Sequence, residues 1–187
     1  MRNFILIILT LSISLDAQAD ASNYISFFKS VGGELAKGFR LPTQKDMKDY
    51  WKDKESFTYK TLDGTGKHKA PYWTSGDFNG DKKIDYAYIL ISLKNNEKQL
   101  FAFLSSNNGY MARKLGESHS FEMGVATQEP GTIKTASGKG YWEPTPEDPP
   151  QVTATTQSID YFMFESASSV FVWDKTSESF KRHWTSD

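Results

Sequence analysis

From residue 72 onward the chain is written in short apolar runs separated by turn residues, and this punctuation narrows the fold more than any other feature. The runs are 72–75, 84–93, 99–104 and 110–115; the polar links 94–97 and 107–109 (Asn107-Asn108-Gly109) separate the last three. Runs and links this short predict an antiparallel meander. The runs 84–93 and 99–104 are apolar at nearly every position, so both faces of those strands need cover. The aromatic content of 14% suits strands that carry large side chains into a core.

The same logic extends to the end of the chain. Pro144, Pro146, Pro149 and Pro150 forbid regular ladders in the stretch 138–150. Beyond it, 151–156, 159–164, 169–173 and 179–185 read as strands, with 174–178 as the turn of a closing hairpin. In the last strand Phe180, Arg182 and Trp184 share one face and Lys181 and His183 the other. Phe171, Trp173, Phe180 and Trp184 lie close to the chain end, where exposed aromatics would be a liability, so the hairpin is expected to be core and Trp184 buried.

Ahead of the meander, Ser22 can cap a short helix to about Val31 that buries Tyr24, Ile25, Phe28 and Val31, with Gly32-Gly33 ending it. Thr43 stands three residues before Asp46, the spacing of a capping box, and predicts a second short helix through Trp51. The fold expected is therefore α+β: two short N-terminal helices packed on a mainly antiparallel β-structure of about seven or eight strands.

Residues 1–19 are expected to lie outside this fold. Arg2 is a positive start, 4–15 an apolar stretch, and Ala17-Gln18-Ala19 a small-residue cleavage site, the pattern of a secretory signal peptide. The apolar stretch is shorter than the ~20 residues that a spanning helix needs, so no membrane span is expected after cleavage. The mature part, 20–187, is expected to form one domain in the periplasm or outside the cell. It contains no cysteine, so no disulfide framework holds it. Formal net charge is −1 and stays so after cleavage, because Arg2 and Asp16 leave together. Nucleic acid would call for a basic chain, and this one is balanced.

The most specific chemistry lies in Asp77-Phe78-Asn79-Gly80-Asp81-Lys82-Lys83-Ile84-Asp85. Oxygen side chains stand at positions 1, 3, 5 and 9, and the Lys83 carbonyl stands at position 7. Hard cations such as Ca²⁺ take six to eight oxygens, and a loop of this kind can wrap one ion. Tyr88 occupies position 12, where a helix-loop-helix calcium hand needs glutamate, so the loop is not of that class. Three carboxylates in one turn also repel one another without a cation. The competing reading is a bare surface turn, since Asp, Asn and Gly form turns unaided.

The pattern D-x-N-G-D-x-x-x-D between strands resembles the calcium loop of FG-GAP and VCBS-type repeats. That resemblance implies that Asp77, Asn79, Asp81, Lys83 by its carbonyl, and Asp85 hold a structural Ca²⁺. The loop occurs once, whereas propellers need several copies. Position 6, usually glycine, is Lys82; a left-handed backbone there would cost a non-glycine residue about 1 kcal/mol. Stretches 130–135, 138–142 and 164–169, with Trp173 and the end Ser186-Asp187, resemble small exported bacterial proteins of unassigned role.

Catalytic signatures are sparse. His68, His119 and His183 form no zinc-type spacing, G-x-S-x-G does not occur, and thiol chemistry has no cysteine. The loop Tyr141-Trp142-Glu143-Pro144-Thr145-Pro146-Glu147-Asp148 is the candidate partner surface: aromatics beside Glu143, Glu147 and Asp148 on a proline-stiffened segment give contact area at low ordering cost. The expected function is a non-enzymatic, calcium-stabilised exported protein that binds a protein or cell-envelope macromolecule, of inhibitor or immunity type. The alternative is a periplasmic hydrolase using carboxylates that spacing does not reveal.

Overall fold

The computed structural model describes residues 21–46, 51–52, 71–118 and 123–187. The expected signal segment and its cleavage point, His68, His119, and residues 47–50 of the expected second helix lie outside them. Among the described residues there are eleven strands and one helical segment with short 3-10 turns, which corrects the α+β expectation of two helices on seven or eight strands to a mainly β fold.

The helical segment begins as α1, Ala21–Phe27, so Ser22 lies inside the helix rather than capping it. It passes through a π turn, Phe28–Gly32, and a last turn, Gly33–Leu35. Gly32 and Gly33 were expected to end the helix, yet both keep right-handed helical backbone. The reason is packing: a side chain at Gly32 would start 3.0 Å from the Phe28 ring. Phe27 and Phe28 are buried, while Ile25 is exposed. One half of the capping box at Thr43 forms, the Thr43 N–H donating to Asp46 Oδ2 at 2.6 Å, and the described residues that follow make the 3-10 turn Gln44–Asp46. Asp46 also takes two hydrogen bonds from Arg40, which holds its carboxyl well below the usual range.

The first sheet contains β1 (Phe39–Arg40), β2 (Trp73–Gly76), β3 (Asp85–Ser92), β4 (Lys98–Ser106) and β5 (Gly109–Ser118). β4 flanks β3 on one side; β1 and β2 share its other side at different heights. The second sheet runs β11 (Ser179–Ser186), β10 (Ser168–Asp174), β9 (Ser158–Met163), β6 (Met123–Gln128). A two-stranded ribbon, β7 (Gly131–Lys134) with β8 (Gln151–Ala154), forms a third piece.

The apolar runs are covered on both faces, as their composition demands. On one face of the first sheet Phe27 stacks on Tyr86 with ring centroids 4.2 Å apart, and the Tyr88 hydroxyl donates to the Tyr24 carbonyl. Ala87 and Ile89 alternate to the other face, in one buried cluster with Val125, Ile159, Tyr161 and Phe171 of the second sheet. The ribbon covers the back of that second sheet, where Ile133 and Ala154 meet Val170 and Val172.

The two large sheets are stitched along one seam. Val125 N of the second sheet donates to the Pro71 carbonyl at 2.8 Å, while the next residue, Tyr72, is held to the first sheet by Ile89 N at 2.8 Å. The Thr74 and Thr127 hydroxyls meet at 2.7 Å, and the fully buried Trp51 donates Nε1–H to the Met123 carbonyl at 2.7 Å. Along the opposite seam β5 and β11 are the outer strands of their sheets. Trp184, expected in the core, is 40% exposed there, under the Arg182 guanidinium at 4.2 Å.

Candidate functional site

The loop 77–85 joins β2 to β3, and its side chains chiefly bind its own backbone. Asp77 accepts from Gly80 N at 2.7 Å and Lys82 N at 3.0 Å; Asn79 accepts from Asp81 N, and Asp81 from Lys83 N, both at 2.9 Å. Gly80 and Lys82 both take the left-handed backbone, with φ of 80° and 65°. Phe78 is fully buried beneath the loop, and its carbonyl accepts from Thr156 Oγ1 at 2.9 Å.

Asp85 differs from the other carboxylates of the loop. Its Oδ2 accepts from Phe78 N at 2.8 Å and Asn79 N at 3.2 Å, and its Oδ1 from Ser105 N and Oγ, both at 2.7 Å. These four donors tie the loop entrance to β4. Burial outweighs them and pushes the Asp85 carboxyl above its ordinary value.

Ser105 brings Asp81 and Asp85 together. Its single hydroxyl proton faces Asp85 Oδ1 and both Asp81 oxygens, the latter at 3.0 and 3.1 Å. One proton serves only one of three acceptors, so a proton or a cation at this point relieves the excess negative charge. Asp77, Asn79, Asp81 and the Lys83 carbonyl supply the hard oxygen chemistry that Ca²⁺ takes. Among the described residues no three His, Cys, Asp or Glu side chains form a metal-holding cluster. Nothing in the sequence pointed to Ser105, since it stands at the end of an apolar run 20 residues beyond Asp85.

The second candidate, 141–148, projects beyond the ribbon. Tyr141 is 53% and Trp142 37% exposed, with ring centroids 6.5 Å apart, and Glu143 and Glu147 are exposed beside them. The loop is nonetheless fixed. Tyr141 N donates to the Ala136 carbonyl, Thr145 and Asp148 exchange backbone hydrogen bonds, and the Trp142 indole N–H donates to Asp148. Ser137 Oγ donates to the Asp148 carbonyl at 3.0 Å, and Thr135 Oγ1 to the Pro149 carbonyl at 2.6 Å. Gly138 permits this closure: a Cβ there would fall 1.7 Å from the Pro150 oxygen. His183 lies half-buried on β11 with its pKa lowered by burial.

Asp160, on β9, carries no signal in the sequence because it is a lone charged residue beside the apolar run 161–164. Burial pushes its carboxyl up to about 6, opposed by the charge of Lys139. Asp85 and Asp160, the two carboxyls raised by burial among the described residues, belong to different sheets.

No known protein family, characterised protein or solved structure matches the chain.

Proposed function

We propose that this is an exported, non-enzymatic protein that docks another macromolecule of the cell envelope through the loop 141–148. In the same reading a structural Ca²⁺ is held at Asp77, Asn79, Asp81 and the Lys83 carbonyl, with Asp85 setting the shape of the loop. The observation that carries the docking reading is that Tyr141 and Trp142 are both exposed and pinned. Solvent-facing aromatics on a freely moving loop would lose ordering entropy on contact, and a hydrogen-bonded loop has already lost it. The hydrolase alternative requires converging carboxylates of raised pKa, and Asp85 and Asp160 lie in different sheets.

A photo-reactive amino acid in place of Tyr141, in the protein expressed in an exporting cell, tests the docking. A discrete adduct is expected from position 141 and none from exposed Lys94 on the 94–97 turn. Equal labelling from both positions, or none from 141, rejects the reading. The ion is tested separately by melting in Ca²⁺ and in chelator. Ca²⁺ is expected to raise the melting temperature by mass action, and Asp81→Ala to abolish the rise; equal temperatures leave the loop as an ion-free turn.

A further inference from the structure

The open seam between β5 and β11 carries a cleft of about 510 Å³ between the β4–β5 and β10–β11 hairpins, floored by Leu104, Met111 and Trp173. Its rim is cationic. Lys83, Arg113 and Lys175 line it, against Asp81 and Glu178. Three cations thus face two acids, which leaves the lining with a net charge of +1.

Arg182 stands beside this cleft on β11. Its guanidinium lies over the Tyr161, Phe171 and Trp184 rings at 5.8, 5.5 and 4.2 Å, and its Nε–H donates to Ser169 Oγ at 2.9 Å. Gly116 of β5 approaches the same Tyr161 and Phe171 rings, so Arg182 flanks the β5 edge. Neither Arg113 nor Arg182 forms an ion pair with a described residue.

The backbone completes the picture. Among the described residues β5 pairs only with β4, so no other described strand uses its outer N–H and C=O groups. Arg113 stands on the cleft face of that edge. Lys114 stands on the opposite face, over the Phe39 and Phe101 rings. Pairing of two copies through β5 would bring Arg113 and Lys114 of one against those of the other, so this edge resists self-association and suits an acidic strand.

We propose that the open seam receives an extended acidic segment of a partner protein, which adds as a strand to β5 and lays its carboxylates on Arg113, Arg182 and Lys175. A polypeptide is favoured over an acidic polysaccharide because only a peptide backbone can use the unpaired edge as well as the cations. This surface is distinct from the loop 141–148 and does not depend on the docking assigned to it.

Calorimetric titration of the whole chain tests this with a blocked peptide of about eight residues, an ordinary strand length, alternating threonine and glutamate. Binding is expected for the glutamate peptide and none for its lysine counterpart. Methylating alternate backbone nitrogens on the edge-pairing side should weaken it about tenfold or more, and Arg113→Glu by a similar factor. Arg182→Gln, a second variant that keeps a polar side chain, should weaken it as well, with melting temperatures confirming that both variants fold. Failure of the glutamate peptide to bind overturns the proposal, as does equal binding of the N-methylated peptide or undiminished binding by folded Arg113→Glu. Binding of polygalacturonate in place of the peptide, or a dimer that forms through β5, overturns it equally.

Discussion

The two seams of the sandwich are built from similar residues and end in opposite states. Between β2 and β6, Trp51, Tyr72, Thr74 and Thr127 are joined by hydrogen bonds and sealed from water, apart from the half-exposed Thr127. Between β5 and β11, Trp184 and Met111 remain exposed, and Arg113 and Arg182 form no ion pair with a described residue. Trp51 finds the Met123 carbonyl; Trp184 finds a guanidinium and solvent.

The sharpest way to break this contrast is to truncate one tryptophan at each seam. Trp51→Ala removes a fully buried ring and its hydrogen bond to the Met123 carbonyl, so urea unfolding should show a loss of about 3–5 kcal/mol. A loss near zero would mean the stitched seam does not hold the sheets together.

The pH dependence sharpens the contrast from the middle of the second sheet, touching neither seam. Asp160 shares a cross-strand row with Val170 and His183, with Lys139 as the nearby cation. A carboxyl near 6 in the fold and ~4 when unfolded binds more protons folded, so its contribution is complete below about pH 4 and is lost as pH rises through 6. His183, lowered by burial, acts in the opposite sense, so the effect is read as a difference between proteins. Relative to wild type, Asp160→Asn should gain up to about 2–3 kcal/mol between pH 4 and 7. Parallel stability curves for the two proteins would show that Asp160 is well solvated.

The smallest effect belongs to the open seam. Trp184→Ala is expected to cost less than about 1 kcal/mol, close to an ordinary surface substitution. A cost matching Trp51→Ala would erase the distinction between the seams.

The strands were legible where apolar runs met strong turn chemistry. The run 84–93 became Asp85–Ser92, and 169–173 became Ser168–Asp174, with the closing turn between the two last strands as expected. Three strands were missed for identifiable reasons. Phe39–Arg40 is two residues long. Met123–Gln128 contains Gly124, which weakens a strand in sequence but here makes room for the Phe162 ring, 2.3 Å from where a Cβ would lie. Gly131–Lys134 presents a single buried side chain, Ile133. Trp184 was misjudged because alternation tells which face a side chain takes, not whether another sheet reaches that far. In the candidate sites, the spacing of Asp77, Asn79, Asp81 and Asp85 was visible, whereas Ser105 reaches Asp81 and Asp85 only through the pairing of β3 with β4.

Gly138 has a consequence beyond the loop it closes. Immediately around it, Ala136 N donates to the Trp184 carbonyl and Lys139 Nζ to the Thr185 carbonyl at 2.7 Å, so the aromatic loop is rooted in β11. That strand is also one wall of the open seam. The base of the aromatic loop and the far edge of the second sheet are thus joined by a short hydrogen-bonded connection. If holding the loop changes the affinity of the cleft, filling the cleft must change that of the loop by the same factor.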